Sequence, residues 1–495
     1  MAFTPLIIAW IWILGIMGIT GISFNIVNII LATFIFGMGD DYSIFVTEGL
    51  CYEYRFGRSM LSQFKNSIIL SSTIMFIGIG MLIFAKHPAM KSLAEVTVVG
   101  MFSVVLMAYI IPPFIFKWLT QKKCKLRKQP ITLIDFIRTF GVLIVYFTGS
   151  VFLSISAFFM LTIGGKSKKH KEHYHKLLQN TMRYVAWWMP QVSYRVDNPH
   201  GEDFSKPAVI VCNHQSHFDL IYTLMLSPKI IAITNEWAWN FPLYKSILRG
   251  ADFLPVTNGI EQNISRLKEL TDQGYSILIF PEGTRSVDCS ILRFHQGAFH
   301  LANELGLDIL PMVVHGIGQY FPKGEFMARS GKVSISIDER ITPDNESYRK
   351  GKESLETARL MRKYYKQRYA EVCEKEEDIN YFKDIVLHNY IYKSREVEKE
   401  CRRQLKNSDK LQQFMRTMPE SGKLLIKHCG QGEWALMLAL IKKKWQIDAY
   451  DEDMDKIDTA RHCTGVPENL RYLTEKTEER EYDNILDIKE LTINN

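Results

Sequence analysis

The sequence predicts an α-helical membrane segment followed by two α/β modules, the second shorter than the first. Three observations carry this expectation. Apolar runs of near bilayer-spanning length fill residues 1–120. Short apolar strands alternate with helical stretches from Ser193 to Ile337. A last apolar strand runs into a glycine loop at Gly422–Gly432. Composition agrees: 47% of the 495 residues are hydrophobic, concentrated in the first third, whereas the last third is highly charged. The formal net charge of +7 comes from basic residues beside apolar segments, which suits an anionic membrane surface and gives no reason to expect nucleic acid. The 8 cysteines are scattered singly with no Cys-x-x-Cys, so neither a disulfide framework nor a metal site is expected.

Residues 1–120 hold four expected spans: Pro5–Ile22, Phe24–Val46, Ser67–Ala85 and Leu93–Trp118. No basic region precedes the first, which argues against a signal peptide. Arg55, Arg58 and Lys65, and the basic tail Lys117–Lys128, place their ends in the cytoplasm by the positive-inside rule. Residues 121–165 read as a basic linker and a membrane-embedded helical hairpin, bent near Gly149-Ser150. Basic clusters on both flanks favour a hairpin in one leaflet over a single span. His170, His173 and His175 follow without a carboxylate or cysteine to complete a metal set, and read as a solvated or lipid-facing surface. Tyr184, Trp187 and Trp188 suit a membrane interface.

Residues 166–345 form the first α/β domain. Strands are expected at Ser193–Val196, Ala208–Cys212, Ile230–Thr234, Ser276–Phe280, Ile309–Val314 and Lys332–Ile337. Helices are expected at Asp219–Leu226, Ile260–Gln273 and Ala298–Leu305. Val209–Cys212 ends at Asn213, which delivers His214 to the carboxyl end of a strand, where open α/β sheets keep their ligand crevices. Asp219 follows about one turn on. It is positioned to accept from one imidazole nitrogen and leave the other free to take a proton from a hydroxyl. Of the 13 histidines only His214 has an aspartate at this spacing. His217 reads as a hydrogen-bonding or packing residue, and His315 as a satisfied core histidine. A second strand, Tyr275–Phe280, breaks into Pro281-Glu-Gly-Thr-Arg-Ser286. There Gly283 allows close backbone approach and Arg285 offers a planar fork for an anion, while Glu282 holds the loop or Arg285 in shape.

Asn213-His214-x4-Asp219 and Phe280-Pro-Glu-Gly-Thr-Arg-Ser286 resemble the glycerolipid acyltransferases of the lysophosphatidic acid type, and Ile309–Gly316 is similar to that family's late strand. The resemblance covers roughly residues 166–344. It implies His214 and Asp219 as a general-base dyad, with Asn213, Glu282, Gly283, Thr284, Arg285 and Ser286 around the substrate. The donor is then acyl-CoA or acyl carrier protein, and no cofactor is required. One element departs: where the family has Gly-x-x-Phe-Ile-x-Arg, this chain has Gly250-Ala-Asp-Phe-Leu-Pro-Val256. Phe36-Gly-Met-Gly-Asp40-Asp41-Tyr-Ser43 is similar to a signature of the resistance-nodulation-division exporters and their mycobacterial-type lipid relatives. Only the last four spans of such a transporter are present. A residual role for Asp40 and Asp41, or one that depends on other transporter subunits, is expected.

Residues 346–415 read as a charged linker, with exposed helices over Tyr348–Glu377 and a further helix over Val386–Lys406. In residues 416–495, Gly422–Gly432 resembles the first strand and glycine loop of a class I methyltransferase, with Gly430, Gly432 and, after the next strand, Asp451 at its cofactor positions. Ile426 stands where the strand's acidic residue is expected and His428 where the first glycine is. The expectation is a truncated, non-catalytic Rossmann-like module that does not bind S-adenosylmethionine. The whole chain is thus expected to be an O-acyltransferase of a bacterial inner membrane, its catalytic domain facing the cytoplasm and acting on a lysophospholipid or related lipid. The alternative is a non-catalytic scaffold or an exporter subunit.

Overall fold

A computed structural model describes residues 3–489 except 24, 27, 164–166, 257–260, 407–408 and 476–477. The chain divides into two compact units, one of Thr132–Tyr381 and one of Met1–Ile131 with Phe382–Asn495.

In the latter, α1 (Phe3–Thr20), α2 (Ile29–Phe56), α3 (Leu61–Gly80) and α4 (Pro88–Thr120) pack around a core that includes Ala9, Ile13, Val46, Met101 and Ala108. The approach is close at Gly39, where a Cβ would lie 2.6 Å from Val104 and 2.7 Å from Leu6, so glycine is required there. Phe3–Thr20, Leu61–Phe84 and Pro88–Thr120 are long and apolar enough to cross a membrane.

The same unit carries a parallel sheet of β8 (Gly422–Lys427), β9 (Trp445–Tyr450), β10 (Leu470–Leu473) and β11 (Asn484–Asp487) in the order β10-β9-β8-β11. Helices Glu433–Ile441 and Met454–Arg461 connect its first three strands. Arg55 Nε donates to Thr459 Oγ1 at 3.0 Å, Arg58 pairs with Asp458, and Thr464 Oγ1 donates to Lys128 O at 2.7 Å. The two basic ends therefore lie on one side of the bundle, beside this sheet. The helix expected over Val386–Lys406 is instead two, Ile379–His388 and Arg395–Gln404. Their junction is set by buried Lys393, whose Nζ donates to Thr459 O at 2.8 Å.

At the glycine loop, Gly430 N donates to Asp451 Oδ2 at 2.9 Å, and Asp453 N donates to Oδ1 at 3.0 Å. Asp451 is thus committed to holding the loop. Beside it, burial lifts the Glu433 carboxyl to about 7, against about 4.3 in an unfolded chain. The folded state keeps a proton that the unfolded chain has lost. This stabilisation is complete below about pH 4.3 and falls away as the pH climbs towards 7. Glu433→Gln is expected to flatten that slope and to raise stability at pH 8 by roughly 3 kcal/mol. Urea unfolding of the detergent-solubilised chain across this pH range measures it.

The other unit is built on a mixed sheet of β1 (Val192–Asp197), β2 (Ala208–Cys212), β3 (Ile230–Thr234), β4 (Leu254–Pro255), β5 (Ser276–Ile279), β6 (Asp308–His315) and β7 (Gly331–Ile337). Their order is β1-β7-β6-β2-β5-β3-β4, with β6 and β7 antiparallel and every other pair parallel. The central strands β2, β5 and β6 are buried throughout, as continuous apolar runs require.

Several expectations are corrected in this unit. α5 (Leu133–Ala157) is continuous through Gly149-Ser150, so no bend lies there. Gly149 instead lets Thr181 and Val185 of α6 (Lys168–Trp188) pack against it. α5 pairs with α6, and the stretch Leu133–Met160 is long and apolar enough to cross a membrane. His175 is not on a solvated surface: it is 2% exposed and its ring lies 4.8 Å from that of Tyr275. The helix Ser354–Glu376, expected to be an exposed linker, buries Thr357, Ala358, Met361, Tyr365 and Val372 against the sheet core. Charged residues on its other faces mask that stripe in the sequence. The compact unit is therefore wider than residues 166–345.

Candidate functional site

β2 and β5 are neighbours and parallel, so their carboxyl ends bring the Asn213–Asp219 turn beside the Pro281–Ser286 loop. Two hydrogen bonds lock the two, and a third anchors the loop to the segment after it. His214 N donates to Glu282 Oε1 at 2.9 Å, Leu292 N donates to Glu282 Oε2 at 2.9 Å, and Ser286 N donates to His214 O at 2.9 Å. Asn213, fully buried, exchanges two hydrogen bonds with the Val314 backbone, at 2.9 and 2.8 Å. Asn213, Glu282 and Ser286, expected around the substrate, thus each help hold the turn and the loop in place. Burial raises the Glu282 carboxyl, and both its oxygens are committed to backbone amides.

His214 Nδ1 and Asp219 Oδ2 are 2.8 Å apart, with Asp219 fully buried and the His214 side chain 21% exposed. Gln215 N and Ser216 N also donate to Asp219 Oδ2, at 2.7 and 2.9 Å, which fixes the carboxylate. The imidazole stacks on Phe280 with centroids 4.3 Å apart. With Nδ1 held by the aspartate, Nε2 is the nitrogen left for a substrate. Gly283 sits at φ +65 with the His295 ring packed under it, and Thr284 and Arg285 are on the open side of the loop. Cys212, adjacent in sequence, is fully buried and its thiol is pushed well above its usual range.

Sequence reasoning missed two features. Lys323, in the loop after β6, donates from Nζ to Thr284 Oγ1 at 3.0 Å and to Arg285 O at 2.6 Å. It supplies a second cation beside Arg285, and only its place in a Pro-Lys-Gly turn after the late strand hints at it. Val256, standing where an arginine is usual, follows the edge strand β4. The second feature is an apolar cavity of about 290 Å³ lined by Tyr146, Leu153, Leu178, Ile221, Phe253 and, toward the dyad, His217. Partial desolvation, with the Arg285 and His214 charges, lowers His217 to about 4, so it stays neutral at physiological pH.

A strand-end imidazole held by a buried carboxylate, the Arg285 loop with Lys323 bonded to it opposite and an apolar slot alongside meet at this end of the sheet. Residues 191–315 match the family model described as Acyltransferase. The 1-acyl-sn-glycerol-3-phosphate acyltransferase of Chlamydomonas reinhardtii is 28% identical over 229 residues, covering 44% of this chain and 68% of that protein. The chloroplastic 1-acyl-sn-glycerol-3-phosphate acyltransferase LPAT1 of Arabidopsis thaliana is 31% identical over 27% of this chain and 39% of its own length. The human 1-acyl-sn-glycerol-3-phosphate acyltransferase alpha is 26% identical over 39% of this chain and 71% of its own. A crystal structure of the 1-acyl-sn-glycerophosphate (LPA) acyltransferase PlsC from Thermotoga maritima aligns over 48% of this chain and 96% of that one, at 21% identity and a TM-score of 0.42. The family-model match and these sequence relatives support an O-acyltransferase of the glycerolipid type. They lend no support to the exporter-like and methyltransferase-like resemblances of the flanking segments.

Proposed function

We propose that the protein is a membrane-bound acyltransferase that moves an acyl chain from an acyl thioester, on coenzyme A or acyl carrier protein, to a hydroxyl of lysophosphatidic acid or a related lysolipid. The observation that carries this reading is the 2.8 Å contact between His214 Nδ1 and the buried Asp219 carboxylate, which leaves Nε2 free. The acceptor hydroxyl gives its proton to Nε2 as its oxygen attacks the thioester carbonyl. Asp219 steadies the imidazolium, and the thiol of the carrier leaves with that proton. The amides of Gly283, His214, Gln215 and Ser216 already donate within the protein, so Thr284 and Arg285 N–H are the assigned oxyanion donors. Arg285 and Lys323 take the acceptor's phosphate, and the apolar cavity takes an acyl chain.

The apolar helices support membrane association. Placement in a bacterial inner membrane with the site facing the cytoplasm is part of the proposal, though the relatives are largely from algae, plants and mammals.

The test is acyl transfer by membranes carrying wild type or His214→Ala, with labelled acyl-CoA and acyl carrier protein as donors and lysophosphatidic acid and total lipid as acceptors. Labelled lipid that vanishes in His214→Ala supports the enzyme. Background labelling with every pair overturns it in favour of a scaffold or exporter subunit. Lys323→Ala is expected to raise the acceptor KM by roughly tenfold, the worth of one charge-assisted hydrogen bond, with the donor KM unchanged. Equal effects on both substrates would remove Lys323 from the acceptor side.

A further inference from the structure

We infer that His315, Cys373 and Glu377 form a binding site for a zinc-type divalent cation, separate from the acyl-transfer chemistry. Their candidate donor atoms lie within 4.8 Å of one another, with His315 Nε2 and Glu377 Oε1 at 3.1 Å. Cys373 lies in the last turn of the helix Ser354–Glu376, and Glu377 caps its C-terminus, donating from its backbone N to Cys373 O at 2.8 Å, which keeps the two side chains together. His315 ends β6, a rigid strand buried at every position. Two elements distant in sequence thus present an imidazole, a thiol and a carboxylate to one point. Among the described residues this is the sole cluster of three or more such groups.

The donor chemistry selects the ion. Imidazole with thiolate suits zinc-type metals, whereas calcium and magnesium prefer oxygen ligands. Tetrahedral coordination at about 2.0–2.3 Å requires a small inward rotation of Cys373 from these positions. Three protein ligands leave a fourth position. The surroundings are semi-enclosed: His315 is 1% exposed, and the Tyr369 and Tyr381 rings lie 5.7 and 5.2 Å from its own. Binding releases the thiol proton, and the carboxylate and thiolate balance the ion's two charges.

The consequence is mechanical. Tyr369, one turn before Cys373, has its hydroxyl on Gln215 Nε2 at 2.7 Å, and Gln215 adjoins His214. Tyr365, a turn earlier, donates to Val211 O on β2. A cation at the helix end fixes the last turns of the helix that braces the His214 strand, without touching the reacting atoms.

The full chain in detergent is titrated with cobalt(II), read by thiolate-to-cobalt charge transfer, and with zinc, read by the thermal midpoint. Wild type is expected to saturate at one cobalt per chain and to gain thermal stability with zinc by mass action. Cys373→Ser is expected to lose the charge-transfer band and to weaken binding beyond the roughly 10- to 100-fold that loss of an outer-shell partner costs. Glu377→Gln is expected to keep the band and bind more weakly. Cys124→Ser, at an exposed cysteine of the other unit, is expected to behave as wild type. No saturable band in wild type, or an unchanged band in Cys373→Ser, overturns the assignment and leaves His315–Glu377 a hydrogen-bonded pair.

Discussion

His214→Ala is expected to lower acyl transfer by roughly 100- to 10,000-fold, the usual worth of a positioned general base. The loss should fall on kcat, because the imidazole acts on the hydroxyl only as the oxygen attacks. Asp219→Asn should also be severely impaired. The Asp219 Oδ2 atom accepts from Gln215 N and Ser216 N as well as facing His214 Nδ1. An amide at that position would present a donor to those amides or to the imidazole, and would disturb both turn and tautomer. A His214→Ala enzyme within threefold of wild type, with protein content equal, would overturn the dyad.

Asp135→Asn is expected to destabilise the catalytic unit by about 3–5 kcal/mol, because it removes the charge that buried Arg138 pairs with and the nearer of the two carboxylates on buried Arg329, whose other is Glu325 at 3.5 Å. Asp135 is 1% exposed at the first turn of α5. Its Oδ1 accepts from Arg138 at 3.1 Å, and its Oδ2 accepts from Arg329 at 2.9 Å and from Thr132 N and Oγ1 at 2.9 and 2.8 Å. Arg138 also donates to Gln191, and the network ties α5 to the segment between β6 and β7. Urea unfolding of the detergent-solubilised chain measures the cost. A change of under about 1 kcal/mol would place this pair with exposed ion pairs.

Much of the catalytic unit was legible in the sequence. Its central strands are buried on both faces, so they read as apolar runs, and all six expected strands form within a residue or two of their expected ends. The short edge strand β4 was missed, because two residues carry no periodicity. The pairing of His214 with Asp219 was legible because a strand end, a turn and one helical turn fix the two by local geometry. The roles of Asn213, Glu282 and Ser286 were not. Each is decided by a partner 68 to 101 residues away on a neighbouring strand or loop, or by a backbone link between the two loops.

The same division runs through the rest of the chain. Local sequence determined the helical N-terminal segment, the order of strands and helices, and the contact between His214 and Asp219, because apolar periodicity and turn chemistry act over a few residues. Tertiary structure alone decided that Lys323 reaches the Thr284–Arg285 loop and that the Ser354–Glu376 helix belongs to the catalytic core. It also decided that His175 is buried and that His315 meets Glu377. These depend on which strands become neighbours, and strand order follows from the burial of whole faces, a property no short stretch of sequence carries.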